Sequence, residues 1–321
     1  MKKLIQIIFI IFIVACLSCS VCASDNPISK GPIELIIPWG AGGSHDMVAR
    51  AIVSVASNYF DRSTPLVIVL KPGGTTAVGS VYVKGAKPDG HTLLFGSNPQ
   101  VLSPRIQKVG FTLDDFKPVC QINYNAPVFV ANKDIGITSV EELIAKANEK
   151  PGELLFAASL WGVFHVPFLL FNKQAGIDVT LLPGTSGGDA MNAVINGDVD
   201  FTAGFPSVVV DHIKAGNVYP LAVTSKERLE MLPDVPTFFE LGYESAIYNM
   251  WRGILVPKDT PDEIVKYLED TFRAIAEDAS FKNLISKMGE TVNFLGTQEF
   301  KKSLKDEEDR YEKNLSEYLK Y

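Results

Sequence analysis

The chain has 321 residues, 46% of them hydrophobic, and carries a formal net charge of -7 at pH 7. That length can bury a sizeable core and fits two domains better than one. The acidic balance excludes nucleic acid as a partner, because such binding needs a basic face to displace counterions, and it leaves any anion site to local chemistry.

Lys2 and Lys3 precede an apolar run from Leu4 to Ala15, followed by small residues up to Val21-Cys22-Ala23. A charged start, an apolar stretch and a Val-x-Ala cleavage site make residues 1–23 a secretory signal peptide, so the working part is expected in the periplasm. Two alternatives stand beside this. The apolar run approaches the ~20 residues of a membrane span, and Ile13-Val14-Ala15-Cys16 resembles a lipobox, which would place a lipid on Cys16. Cys16, Cys19 and Cys22 all lie in the leader. After cleavage Cys120 remains alone, so no internal disulfide can support the fold.

In chain order, 33–37 reads as a strand, the Gly-rich 38–44 as a turn, and about 46–59 as a helix. A strand at 66–70, a helix ending near Gly85 and a strand at 92–96 follow. This β-α-β-α-β order predicts a parallel sheet covered by helices. A second series starts with a strand at 128–131. Ser139-Val140-Glu141-Glu142 is a capping box opening a helix to about 148. Strands are expected at 154–158, 179–182, 199–203 and 221–224, with helices at 163–175, 189–196 and 208–215. A late strand at 251–256 precedes a helix with Pro261 at its first position, running to 275. Helices at 280–288 and 297–318 end the chain, the last rich in both charge signs and read as a solvated face. Two such series imply two sheets. Ligands of open α/β sheets sit beyond the strands' carboxyl ends, so two facing sheets would form a cleft suited to a small molecule.

Four strand ends run into Gly/Ser/Thr loops that open helices: Gly40-Ala41-Gly42-Gly43-Ser44, Gly73-Gly74-Thr75-Thr76, Ser97-Asn98 and Gly184-Thr185-Ser186-Gly187-Gly188. Backbone N–H groups and hydroxyls at helix N-termini suit an anion, although a Gly-rich turn by itself only permits tight geometry. Gly40–Ser44 has neither the P-loop ending nor the dinucleotide spacing. Gly184–Gly188 is a literal G-x-S-x-G between strand and helix, the setting of a nucleophile elbow with Ser186 as nucleophile. The sole downstream histidine, His212, lies inside a predicted helix beside Asp211, and Pro183 enters the turn. The chain is therefore read as a non-enzyme without catalytic residues, a serine hydrolase using Ser186 being the alternative. His45, His91, His165 and His212 show no metal-ligand spacing, so neither a metal nor another cofactor is expected. His45 and His165 lie in or beside the presumed cleft loops and could hydrogen-bond a ligand or serve the structure. Trp161 and Trp251 could line a pocket or fill the core.

Taken together, the motifs form a pattern. Ile36-Ile37-Pro38-Trp39-Gly40-Ala41-Gly42-Gly43-Ser44-His45-Asp46 resembles the opening of the tripartite tricarboxylate transporter substrate-binding proteins, the Bug family. Lys71-Pro72-Gly73-Gly74, Lys87-Pro88-Asp89-Gly90-His91, Asn196-Gly197-Asp198-Val199-Asp200, Leu232-Pro233-Asp234-Val235-Pro236-Thr237 and Trp251-Arg252-Gly253 continue the likeness in order. The resemblance implies a two-domain α/β periplasmic-binding-protein fold, the type II Venus flytrap with two crossing strands near 127–131 and 251–256. Residues 31–126 and 248–321 would form one domain and 127–247 the other. It also implies a small carboxylate held between domains and passed to integral membrane transporter subunits, by a monomer; a sensory binding module would share the fold. The ligand contacts implied are Trp39, Gly42, Gly43, Ser44, Asp46, Gly74, Ala77 and Ser97 in the first domain. Ser159, His165, Pro183 with its following loop (Gly184, Thr185, Ser186), and Phe205 come from the second; His45 and Trp161 join them on their own positions. Two stretches depart from the family. Leu160-Trp161-Gly162-Val163-Phe164-His165 stands where Gly-x-Gly-Ser-x-x-His is usual, and Pro183-Gly184-Thr185-Ser186-Gly187 where Pro-Tyr-Lys-Gly-Gly is usual. A hydroxyl, a phenol and an ammonium are gone and a bulky aromatic enters, so Trp161 and Phe164 are expected to favour an aromatic or long apolar carboxylate over citrate.

Overall fold

The computed structural model describes residues 26–183 and 187–319. The candidate leader with Cys16, and Gly184, Thr185 and Ser186, lie outside the described residues. Eleven strands and ten α-helices are found among the described residues.

The first lobe opens with β1 (Ile33–Ile37), α1 (Ser44–Ala56), β2 (Leu66–Leu70), α2 (Ala77–Lys84), β3 (Thr92–Gly96) and α3 (Pro99–Ile106). The β-branched and leucine runs of β1 and β3 are almost wholly buried, as strands covered on both faces require. After a 3-10 turn, β4 (Phe116–Asn125) leads towards the second lobe. There follow β5 (Val128–Asn132), α4 (Val140–Glu149), β6 (Leu155–Ala158), α5 (His165–Ala175), β7 (Thr180–Pro183), α6 (Gly187–Asn196), β8 (Phe201–Gly204), α7 (Pro206–Lys214) and β9 (Val218–Val223). The chain returns through β10 (Met250–Pro257), α8 (Asp262–Glu277), α9 (Ala279–Lys287), β11 (Thr291–Leu295) and α10 (Thr297–Leu315).

Two sheets result, in the orders β11-β4-β10-β3-β1-β2 and β7-β6-β8-β5-β9. In the first, β2, β1 and β3 are parallel, while β10, β4 and β11 run against their neighbours. The N-terminal start of β10 and the C-terminal end of β4 consequently lie at the same edge as the carboxyl ends of β1 and β3, facing the second lobe. In the second sheet, β6, β7 and β8 are parallel and β5 pairs antiparallel with β8 and β9. Its core is aromatic: Phe156 stacks on Phe168 at 3.9 Å between centroids and lies 5.0 Å from Phe201.

Several boundaries are set by local chemistry. The Ser139 hydroxyl accepts from Glu142 N at 3.2 Å, as the capping pattern predicts. Pro261 instead occupies the N-cap of α8 with an extended ψ of 143°, one residue before the position expected from sequence. Crossings between lobes fall at Ala126–Pro127 and in the chain ahead of Met250, since β5 lies wholly in the second sheet and β10 wholly in the first. The C-terminal helix corrects the reading of a solvated face. Phe300, Leu304, Glu307, Tyr311 and Leu315, spaced by three or four residues, form a buried stripe on α10. That stripe joins Val166 and Leu170 of α5 in one apolar cluster, so the helix seals the lobes together along one side.

Candidate functional site

A cavity of about 500 Å³ opens between the lobes. From the first lobe it is lined by Trp39 and His45 after β1, Thr75 after β2, Ser97 and Asn98 after β3, residues of α3, Tyr248 ahead of β10 and Met250 at its start. From the second it is lined by the turn Leu160–Val163 between β6 and α5. Strand ends from both sheets thus supply the walls, the position the topology favours.

The loop after β1 is built around Asp46. Its carboxylate accepts from Gly42 N at 2.8 Å and from Arg50 Nε at 3.1 Å, and these donors hold it below the usual carboxylate range. Asp46 is buried and turned into its own loop rather than towards the cavity. Gly42 sits at φ +79°, a region that strains any residue with a Cβ. Gly43 takes the N-cap of α1. The first-turn amides of Ser44, His45 and Asp46 make no hydrogen bond among the described residues, which leaves the positive end of that helix open.

Ser44 presents its hydroxyl to an arginine. Arg252 Nη2 donates to Ser44 Oγ at 2.9 Å, while Nη1 pairs with Glu290, whose carboxylate also accepts from Asn123 Nδ2. Arg252 is fully buried and does not line the cavity. A register shift in the β10–β4 ladder at Arg252/Gly253 marks a bulge, the device by which strands re-aim a side chain. The pair was not singled out from sequence; a charged residue inside a strand is the signal that could have found it.

His45 packs face to face on Trp39, with ring centroids 3.6 Å apart. Burial, with help from the Arg252 charge, pushes its pKa well below the ordinary value, so the ring is neutral at neutral pH. His165 is buried as well, and burial lowers it to about 4. Its Nδ1 accepts the Trp161 N–H at 3.0 Å, which fixes the neutral Nε2–H form. That bond anchors a turn in which Trp161 stands at φ +59°, a left-handed conformation costly for a bulky side chain. Trp161 is braced edge-on by His165 and by Tyr318, at 5.5 and 5.6 Å between centroids. Thr75 and Thr76, at φ +51° and +75°, are the other non-glycine residues of positive φ among the described residues. All three lie in loops at the cleft, where such strain is characteristically stored.

Of the residues singled out from sequence, Trp39, His45, Ser97 and Trp161 meet at the cavity. Gly42, Gly43, Ser44 and Asp46 form the wall behind His45. Gly74 and Ala77 flank Thr75, but the Ala77 N–H is committed to Gly74 O at 3.1 Å, so this terminus offers less to an anion than its sequence implies. Ser97 likewise spends its N–H on Gln100 Oε1 at 2.7 Å. Ser159 accepts from Gly162 N in the Trp161 turn. Phe164 and Phe205 do not line this cavity; they pack against each other at 5.1 Å and against the second core. Trp251 is a core residue whose Nε1 donates to Glu307 at 2.7 Å. Cys120 is free and buried, and desolvation raises its thiol pKa. Gly184, Thr185 and Ser186 lie outside the described residues. Among those described, no His/Cys/Asp/Glu group could hold a metal ion, and no helix is long and apolar enough to cross a membrane.

Residues 48–318 match the family described as the tripartite tricarboxylate transporter family receptor. Among curated relatives, Protein BugT of Bordetella pertussis is 29% identical over 242 residues, 74% of each chain. Among solved structures, a TctC solute binding protein from Polaromonas matches with a TM-score of 0.80 at 23% identity, over 89% of this chain and 98% of that one. The R. palustris protein Rpa4515, solved with adipate, matches with a TM-score of 0.74 at 26% identity, over 90% and 97% of the two chains.

Proposed function

The chain belongs to the tripartite tricarboxylate transporter receptor family, a family of solute-binding proteins rather than enzymes, and from that premise we propose that it captures a small carboxylate between its lobes in the periplasm and delivers it to a membrane permease. The hydrolase alternative at Ser186 lapses with the family. The observation that carries the reading is the cavity at the carboxyl ends of both sheets, with the open N-terminus of α1 behind His45. A carboxylate there gains the helix dipole and hydroxyls without any cation to desolvate. The adipate held by Rpa4515 supports the ligand class. On this reading Trp39, His45, Thr75, Ser97 and Trp161 contact the ligand, with Gly184, Thr185 and Ser186 as further candidate contacts. Residues 31–126 with 248–321 act as one lobe and 127–247 as the other, after removal of the 1–23 leader.

A thermal-shift screen of the refolded protein against mono-, di- and tricarboxylates tests this. A ligand at a hundred times its Kd stabilises by about 2.7 kcal/mol, a readily measured shift. Absence of a shift with every carboxylate, against a shift with amino acids or sugars, would refute it.

A further inference from the structure

Building on the carboxylate reading above, we propose that the cleft selects a monocarboxylate with an apolar body, aromatic or medium-chain, and discriminates against di- and tricarboxylates. Among the described residues the cavity is lined by no lysine, arginine, aspartate or glutamate. The histidine among these lining residues, His45, is held neutral by burial. A second carboxylate entering this space would lose its water and find no cation, the arrangement that makes a buried charge costly. Arg252, behind Ser44, is fully buried and already engaged by Glu290, and Arg50 is engaged by Asp46.

Most of the remaining lining is apolar and comes from both lobes, with Ser103, Gln107 and Tyr248 as its polar members. Leu102 and Ile106 of α3 and Met250 stand on one side, with Leu160, Trp161 and Val163 on the other. A second polar group of residues gathers at the strand ends: Thr75, Ser97 and Asn98, with Trp39 and His45 beside them. An amphipathic guest fits this division, its carboxylate at the strand ends and its body between α3 and the Trp161 turn. Trp161 is positioned for that contact at a conformational expense, φ +59°, and is braced by His165 and Tyr318. Leu160 is 58% exposed in the same turn, an apolar side chain offered to a partner rather than to the core. The cavity, about 500 Å³, lies within the ordinary range for small-molecule sites.

The test is calorimetry of the refolded protein with hexanoate and adipate, which differ by one carboxylate on the same carbon chain, together with 3-phenylpropionate, malate and citrate. Hexanoate and 3-phenylpropionate are expected to bind on the order of tenfold more tightly than adipate, malate or citrate. Trp161→Ala should weaken 3-phenylpropionate on the order of tenfold, and Trp161→Phe should restore most of that loss. Adipate, malate or citrate matching or outranking the monocarboxylates would overturn the selectivity and leave carboxylate binding standing. So would an equal effect of Trp161→Ala on every ligand. Failure of all five to bind would overturn both readings.

Discussion

Acidification is expected to release the Trp161 turn through His165. The Trp161 N–H rests on His165 Nδ1 at 3.0 Å, an acceptor that exists only while the ring is neutral. Burial lowers the folded-state pKa from the ordinary 6.5 to about 4. Between those values the unfolded chain binds the proton and the folded chain refuses it, so stability falls as pH falls. The contribution is fully present above about pH 6.5 and is lost on descent towards about pH 4. From about pH 7 to about pH 5 this one group removes roughly 2 kcal/mol. His45 is shifted in the same direction, so total acid sensitivity does not isolate His165. Urea denaturation at several pH values, comparing the native chain with His165→Asn, does isolate it. Asparagine Oδ1 occupies the place of Nδ1 as an acceptor that does not titrate. The variant should lose about 2 kcal/mol less over the same descent, and equal losses in both proteins would refute the reasoning.

Two further outcomes follow from buried contacts. Arg252→Met takes the counter-ion from buried Glu290, whose carboxyl pKa burial already pushes up, and should destabilise the protein by roughly 3–5 kcal/mol in chemical denaturation. Adding Glu290→Leu should recover most of that loss, because the apolar pair strands no charge. Gly289 meets the second lobe: a Cβ placed there would lie 2.9 Å from Ser207 N, and its φ is +67°. Gly289→Ala should therefore abolish ligand-induced stabilisation beyond its conformational cost. Gly136→Ala supplies the control, with φ +70° and nothing within 4 Å, and thermal shifts with and without ligand report the difference.

Strands with uninterrupted β-branched or leucine runs were legible from sequence: Ile33–Ile37, Leu66–Leu70 and Thr92–Gly96 stand as their patterns predict. The elements that escaped have physical reasons. From sequence no element is assigned to 99–106, where Pro99 and Pro104 interrupt a helical pattern, yet Pro99 occupies the permissive first turn and the helix lasts only eight residues. β4 carries Lys117 and Pro118 and ends in Gln121, Asn123 and Asn125, so it lacks the clean alternation of a strand. Both omissions matter, because α3 supplies the apolar wall and β4 the path between lobes. At the site, glycines and hydroxyls announced the loops after β1, β2 and β3, but not which amides would be spent internally. The Ala77 and Ser97 N–H groups are consumed by Gly74 O and Gln100 Oε1, partners that only the folded backbone brings within reach.

The charged C-terminal helix shows how far the site depends on distant sequence. Glu307 is buried at the centre of its stripe and accepts from Asn98 Nδ2 at 2.8 Å and from Trp251 Nε1 at 2.7 Å. Burial raises its pKa, and the donors around it supply the compensation a buried carboxyl requires. Asn98 lines the cavity, so one wall is tied to a residue more than two hundred positions later. The opposite wall is tied there too, through Tyr318 against Trp161 and Lys173 Nζ on Asn314 O at 2.8 Å. Side chains from both lobes interlock along this seam, and parting them would expose the apolar cluster of Val166, Leu170, Leu304 and Leu315 to water. The lobes also approach at Gly289, where a Cβ would lie 2.9 Å from Ser207 N.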